Sequence, residues 1–446
     1  MVTTPGSGVA NGSIYPMTSR CNEVGHLEVG GCDVVDLADR FGTPLYVYDE
    51  ATLRTLCREY VDAFTARIDD VTIVYAGKSF LCKAMCELVA AEGLSLDVSS
   101  GGELWMAGAA GFPGERICFH GNNKTAAELA LALDMGVGRV IVDSFHEISL
   151  LERLAAERDV QQLVLLRITP NVVPSTHKYI QTGHKGSKFG FPLSDAAEAV
   201  RAAVASPHLD LVGVHCHIGS QIFDLSPYRE AIAVLVWLVA EWHKLFGFAC
   251  REIDVGGGLA IDYLAEDRSP RIVEFAEFVT GTLQTEVERH SLPMPRLLVE
   301  PGRSISGRAG LTAYRVGSLK SLQTLPLYVA VDGGMSDNIR PMLYGARYEA
   351  LVANKAAANA DVEVKVVGKH CESGDILIDN TRIATVETGD ILVTPGTGAY
   401  GYSLANNYNG QPRPAVLFVR DGSAHVVVER ETWADVARLQ RSLDGR

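Results

Sequence analysis

The feature that most constrains this chain is an alternation, repeated eight times, of a short β-branched run with an amphipathic stretch. The runs are Thr72 to Tyr75, Ser95 to Val98, Ile117 to His120, Arg139 to Asp143, Leu163 to Ile168, Leu211 to His217, Glu252 to Val255 and Arg296 to Val299. Their near-continuous apolar character is that of strands buried on both faces, as in parallel sheets. Between them, segments such as 81–92 put Leu81, Ala84, Met85 and Leu88 on one helical face, and Gly93 stands where the helix should end. Eight strand–helix units predict an α/β fold closed into a (β/α)8 TIM-type barrel. The competing architecture is an open doubly wound sheet, but the G-x-G-x-x-G turn expected after its first strand is missing.

Beyond Arg303 the texture changes. Leu311 to Val316, Leu327 to Val331, Val362 to Val367, Asp390 to Thr394 and Ala415 to Val419 read as strands with no helices between them, which predicts a mainly β C-terminal domain. Leu27 to Leu45 is also strand-like and is expected to join that domain. The resulting organisation is a loose leader over 1–20, an N-terminal segment over 21–45, a barrel over 46–303 and a β domain over 304–446. A chain of 446 residues can supply two domains with their own cores.

Composition narrows the class. A formal net charge of -14 leaves no basic footprint for nucleic acid, and no apolar stretch reaches the roughly 18 residues that a membrane span needs. Nine cysteines, an odd number without C-x-x-C pairs, fit a reducing cytoplasm better than a disulfide or zinc framework. The opening residues lack a basic n-region followed by an apolar h-region, so no export signal is expected.

Barrels of this kind carry their chemistry at the C-terminal ends of the strands. Those positions hold Tyr75-Ala76-Gly77-Lys78, Asp97-Val98-Ser99-Ser100, His120-Gly121-Asn122-Asn123-Lys124, Arg167, His215-Cys216-His217-Ile218-Gly219-Ser220, Asp254-Val255-Gly256-Gly257-Gly258 and Glu300-Pro301-Gly302-Arg303. Taken singly, each admits a bland explanation. The three glycines can cradle a phosphate on backbone N–H groups or form a plain turn. Lys78 follows an apolar strand that could desolvate a Schiff-base amine, or is an ordinary rim lysine. His215 and His217, on one face of a strand, are a metal pair or core histidines, and no acidic or cysteine ligand set accompanies them. Glu300 is compatible with a turn-end carboxylate paired with Arg303, and Cys371 with a buried structural thiol. Together, a lysine, a glycine cradle, a ring-facing histidine and a carboxylate suit pyridoxal phosphate.

These motifs resemble the fold-type III decarboxylases. Further segments are similar to the diaminopimelate decarboxylase family: His120 to Lys124, Thr176-His177-Lys178-Tyr179-Ile180, Ser187-Lys188-Phe189-Gly190, Met335 to Pro341, Cys371-Glu372-Ser373-Gly374-Asp375 and Gly398-Ala399-Tyr400-Gly401-Tyr402-Ser403. The resemblance runs from about Leu45 to Trp433, with one departure, Gly77, where the family commonly has alanine. It implies pyridoxal 5'-phosphate on Lys78, with His217 stacked on the ring and Glu300 at the pyridine nitrogen. Ser220, Gly257, Gly258 and Tyr400 would meet the phosphate, with Gly302 and Arg303 close to it. Cys371 would return a proton to the α carbon, Arg303, Arg340, Tyr344 and Glu372 would bind the far end of an amino-acid substrate, and Tyr400 would also touch the substrate. No metal is implied. The family pattern also implies a homodimer with shared active sites, to which the β domain contributes. Relatives acting on ornithine, arginine, a siderophore precursor or a carrier-bound substrate share the frame, so the pocket carries the substrate assignment.

Overall fold

The structure, a computed structural model, describes residues 12–172, 187–321 and 326–443. Two compact units emerge, one from residues 56–260 and 268–304, the other from the N-terminal residues to 55, residues 261–267 and residues from 305 onward.

In that unit eight parallel strands close on themselves: Val71–Ala76, Ser95–Val98, Ile117–Phe119, Arg139–Val142, Gln162–Thr169, Leu209–His215, Glu252–Asp254 and Arg296–Val299. Each expected run falls on one of them. Closure is made where the eighth strand pairs with the first, Leu297 opposite Val71 and Val299 opposite Ile73, so no strand edge remains. Buried triplets Val74, Cys118, Leu298 and Ile141, Leu165, Val212 draw on different strands, as a filled barrel interior requires.

Local sequence turns the chain from strand to helix three times in the same way. Ser100, Thr125 and Ser144 accept from the backbone N–H of Glu103, Glu128 and Glu147, starting the helices Gly101–Ala109, Ala126–Asp134 and Phe145–Ala156. The Ser/Thr-x-x-Glu spacing is the cap that satisfies otherwise orphaned N–H groups, and each one leaves the preceding loop at the strand end fixed. The helix after the first strand is Lys83–Ala91, with Gly93 in the left-handed region just beyond it.

The second unit is built on strand Gly310–Lys320. Its first half pairs with Leu45–Asp49 and Ile391–Pro395, its second half with Leu327–Val331. Val362–Val367, Ile376–Ile383, Ala415–Arg420 and Ser423–Val428 extend the sheet, and two buried clusters lie on it. The strand-like reading of Leu27 to Leu45 needs correction. Leu27–Val29 and Cys32–Asp33 pair with Arg20–Cys21 in a separate small sheet, and Val34–Phe41 is a helix capped by Asp33. Its buried Val34, Leu37 and Ala38 follow the i, i+3, i+4 spacing of a helix. No helix among the described residues is long and apolar enough to cross a membrane.

Candidate active site

The first barrel strand ends in a single 3-10 turn, Gly77–Ser79, that presents Lys78. Ser79 Oγ donates to Ala76 O at 2.9 Å, and Tyr75 Oη to Phe80 O at 2.8 Å, so the turn is held on both sides. Gly77 has a physical consequence, since a Cβ there would stand 2.7 Å from Asp97 O. The absence of that carbon lets the turn sit against the second strand. Lys78 Nζ lies 3.5 Å from Asp97 Oδ2, with the lysine side chain 39% exposed and the carboxylate wholly buried.

A second lysine, Lys124, stands at the end of the third strand but is differently placed. Its side chain is 1% exposed, and its three protons are used by Gly121 O, Ile141 O and Glu147 Oε1 at 2.7–2.8 Å. A saturated ammonium cannot act as a nucleophile, so of these two lysines only Lys78 is positioned to react.

Within the barrel, His120, His215 and Glu300 form a buried group. His120 Nε2 is 2.8 Å from Glu300 Oε1 and His215 Nε2 is 3.4 Å from Oε2. The two rings meet edge to face with centroids 5.0 Å apart. Burial holds the His215 imidazole down at about 3, outweighing Glu300, so it is neutral. Asp254 is driven up, first by burial and then by the Glu300 charge, whereas His120 and His215 draw Glu300 down against its burial. Two earlier readings are thereby corrected. The sixth strand stops at His215, so His217 does not share a strand face with it, and an acid does accompany His215. The Glu300 neighbours are histidines, whereas Arg303 donates from Nη2 to Ser220 Oγ at 2.9 Å.

The glycine tract makes a close-packed cradle. A Cβ at Gly257 would stand 1.9 Å from Glu300 O, and one at Gly258, whose φ is +113°, 2.4 Å from Gly219 O. Tyr228 Oη donates to Gly257 O at 2.9 Å, and Gly257 N–H donates to His217 Nδ1 at 3.3 Å. That last contact selects the tautomer with the proton on Nε2. Burial first, then the Lys78 charge, holds the His217 ring well below its usual range, so it is neutral. Gly302 is buried against Ser79.

The remaining candidate residues belong to the other unit. Arg340 is 5% exposed, with its guanidinium 4.7 Å from the Tyr263 ring centroid, 5.5 Å from that of Tyr348, and hydrogen-bonded to the Tyr348 hydroxyl. Its Nε has no partner among the described residues, where no carboxylate lies at ion-pair distance. Half-buried Tyr344 ends the short helix Arg340–Tyr344. Tyr400 adopts φ +59°, a conformation that a bulky residue keeps only where its surroundings impose it. Cys371 is the one exposed cysteine of nine, so the buried-thiol alternative falls; Glu372 beside it is exposed too. Buried Asp375 gathers this loop by accepting from His370 N and Nδ1, and from Met335 N. The motif Thr176 to Ile180 lies outside the described residues.

Sequence reasoning missed the partners of these groups. Asp97, His120 and Asp254 stood in the quoted strand ends without a role, and Tyr228 and Tyr263 carried no signal at all. The residues present fit pyridoxal phosphate. An amine is presented on a fixed turn, a glycine cradle is too tight for side chains, and Glu300 is a buried carboxylate held well below its usual range, as the partner of a pyridinium must be.

Comparison with known proteins agrees. Residues 51–307 match the family described as pyridoxal-dependent decarboxylase, pyridoxal binding domain, which is the class that this barrel and its strand-end groups define. A diaminopimelate decarboxylase of Bacillus subtilis is 48% identical over 424 residues, covering 95% of this chain and 97% of the relative. The crystal structure of diaminopimelate decarboxylase from M. jannaschii in complex with L-lysine superposes with a TM-score of 0.89 at 32% identity, covering 97% of this chain and 99% of that one. The chain belongs to the diaminopimelate decarboxylase family. A lysine/ornithine decarboxylase from Vibrio vulnificus, at 22% identity and a TM-score of 0.74, covering 87% of this chain and 97% of that one, shares the fold.

Proposed function

We propose that this chain removes one carboxylate of meso-2,6-diaminopimelate as carbon dioxide and releases L-lysine, a step of lysine biosynthesis, using pyridoxal phosphate. The observation that carries the substrate assignment is Arg340. A buried guanidinium without a carboxylate partner among the described residues is costly unless a ligand supplies one, and its fork binds a carboxylate through two hydrogen bonds. Diaminopimelate has such a group at its far end; ornithine and arginine do not.

When bound, the cofactor supplies an electron sink for the pair left by departing carbon dioxide. Lys78 would be its amine anchor, Glu300 would serve its pyridine nitrogen and His217 its ring, while Ser220, Gly257, Gly258, Gly302, Arg303 and Tyr400 would hold its phosphate. Arg303, Arg340, Tyr344, Glu372 and Tyr400 hold the distal head of the substrate, a carboxylate for the arginines and an ammonium for Glu372. The Cys371 thiol delivers the proton that replaces carbon dioxide at the α carbon, and its exposure gives the resulting thiolate a route to solvent protons. An exposed thiol and acid on a loop fixed by Asp375 suit a site completed by a second copy, so the working form is a homodimer with shared active sites, acting in the cytoplasm.

Arg340→Ala is expected to raise KM for meso-diaminopimelate roughly ten- to hundredfold, the loss of a charge-assisted pair of about 1.5–3 kcal/mol. Its affinity for pyridoxal phosphate should stay unchanged. Arg340→Lys should not restore KM, because a point charge lacks the fork. Steady-state kinetics together with a cofactor titration check this, and an unaltered KM would remove Arg340 from the substrate site.

A further inference from the structure

We infer that His120 is a positioning residue for Glu300: it sets the orientation in which the carboxylate meets the pyridine nitrogen of the cofactor. The inference rests on the assignment of Glu300 proposed above. A carboxylate at the end of a glutamate can swing about its last torsion, and only one orientation serves a ring nitrogen. Here each oxygen faces its own imidazole, Oε1 toward His120 at 2.8 Å and Oε2 toward His215 at 3.4 Å. The two rings are in edge-to-face contact at an interplanar angle of 72°, so neither can pivot alone.

His120 is itself held at both ends of its loop. Its backbone N–H donates to Val98 O at 2.8 Å. Four residues on, the Lys124 ammonium ties Gly121 O and Ile141 O to Glu147. A buried ion pair of this sort contributes little net stability, and its use is to fix a geometry; the geometry fixed here is that of the turn following His120. His120 Nε2 also lies 3.8 Å from Asp97 Oδ1, and Asp97 stands 3.5 Å from Lys78. The ring thus lies between the carboxylate assigned to the pyridine end and the one beside the lysine. Burial alone would push the Glu300 carboxyl up. His120 foremost, then His215, reverses that and keeps it well below the usual range, as a partner for a protonated nitrogen must be.

His120→Phe keeps a ring and removes the N–H, while His120→Gln returns an amide N–H near the position of Nε2. Titration of each apoenzyme with pyridoxal phosphate should show about tenfold or weaker binding for the phenylalanine variant. Its absorbance should move from the band near about 420 nm toward shorter wavelength. Glutamine should recover most of both, with the thermal midpoint of either apoenzyme close to wild type. Normal affinity and spectrum in His120→Phe, or a glutamine variant as defective as phenylalanine, overturns the inference. If His120→Phe does not fold, His120→Ala is measured against the same outcomes. Glu300→Gln separates the two assignments. An unchanged spectrum there removes Glu300 from the nitrogen and the inference with it, whereas a changed spectrum beside a normal His120→Phe overturns the inference alone.

Discussion

Lys78→Ala is expected to lose turnover by on the order of 10³-fold or more, together with the absorbance of the bound cofactor near about 420 nm. The reason lies in how the two lysines at the barrel strand ends are held. Lys124 spends all three protons on neighbouring acceptors, and its side chain is 1% exposed. Lys78 is presented on a braced turn, 39% exposed, with Asp97 at 3.5 Å. No other amine is proposed to replace it. Borohydride reduction of the loaded protein followed by peptide mapping checks the same point chemically, and attachment of the reduced cofactor to a lysine other than Lys78 would contradict it.

The second large effect is a gain of activity. Lys78→Ala and Cys371→Ala should each be inactive, but refolded together they should recover roughly a quarter of wild-type activity. In the proposed homodimer with shared sites, random pairing would make half of the dimers mixed, and in each mixed dimer one site would carry both defects and the other neither. Lys78 belongs to the barrel unit and Cys371 to the other, and Cys371 is exposed. Proven subunit exchange without recovery would mean that the two residues act within one chain.

Much of this was legible in the sequence, for identifiable reasons. Strands buried on both faces write themselves as unbroken β-branched runs, so all eight barrel strands were found, with ends displaced by a residue or two. Leu211 to His217, for example, is strand Leu209–His215. Glycines too crowded for a Cβ, such as Gly257, also leave a plain trace, because no other residue fits. The segment from Leu27 to Leu45 was less readable. Its apolar runs are so short that two-residue strands and a two-turn helix look alike until the Asp33 cap is considered.

The cluster around Glu300 was not legible at all as a cluster. Asp97, His120, His215, Asp254 and Glu300 come from the second, third, sixth, seventh and eighth strands or their ends, and only closure of the barrel brings them near one another. No local spacing encodes such a meeting. The same holds for Arg340, whose tyrosine neighbours come from residue 263 and from eight residues downstream.

The central claim is that this chain acts on an amino acid with a second carboxylate at its far end. Carbon dioxide release by the protein loaded with pyridoxal phosphate, measured in parallel on meso-diaminopimelate, lysine, ornithine and arginine, tests it directly. Meso-diaminopimelate should be preferred by at least about a hundredfold in kcat/KM, with L-lysine as the product, because the other three bring no distal carboxylate to the buried Arg340. Preference for ornithine, arginine or lysine would contradict the account.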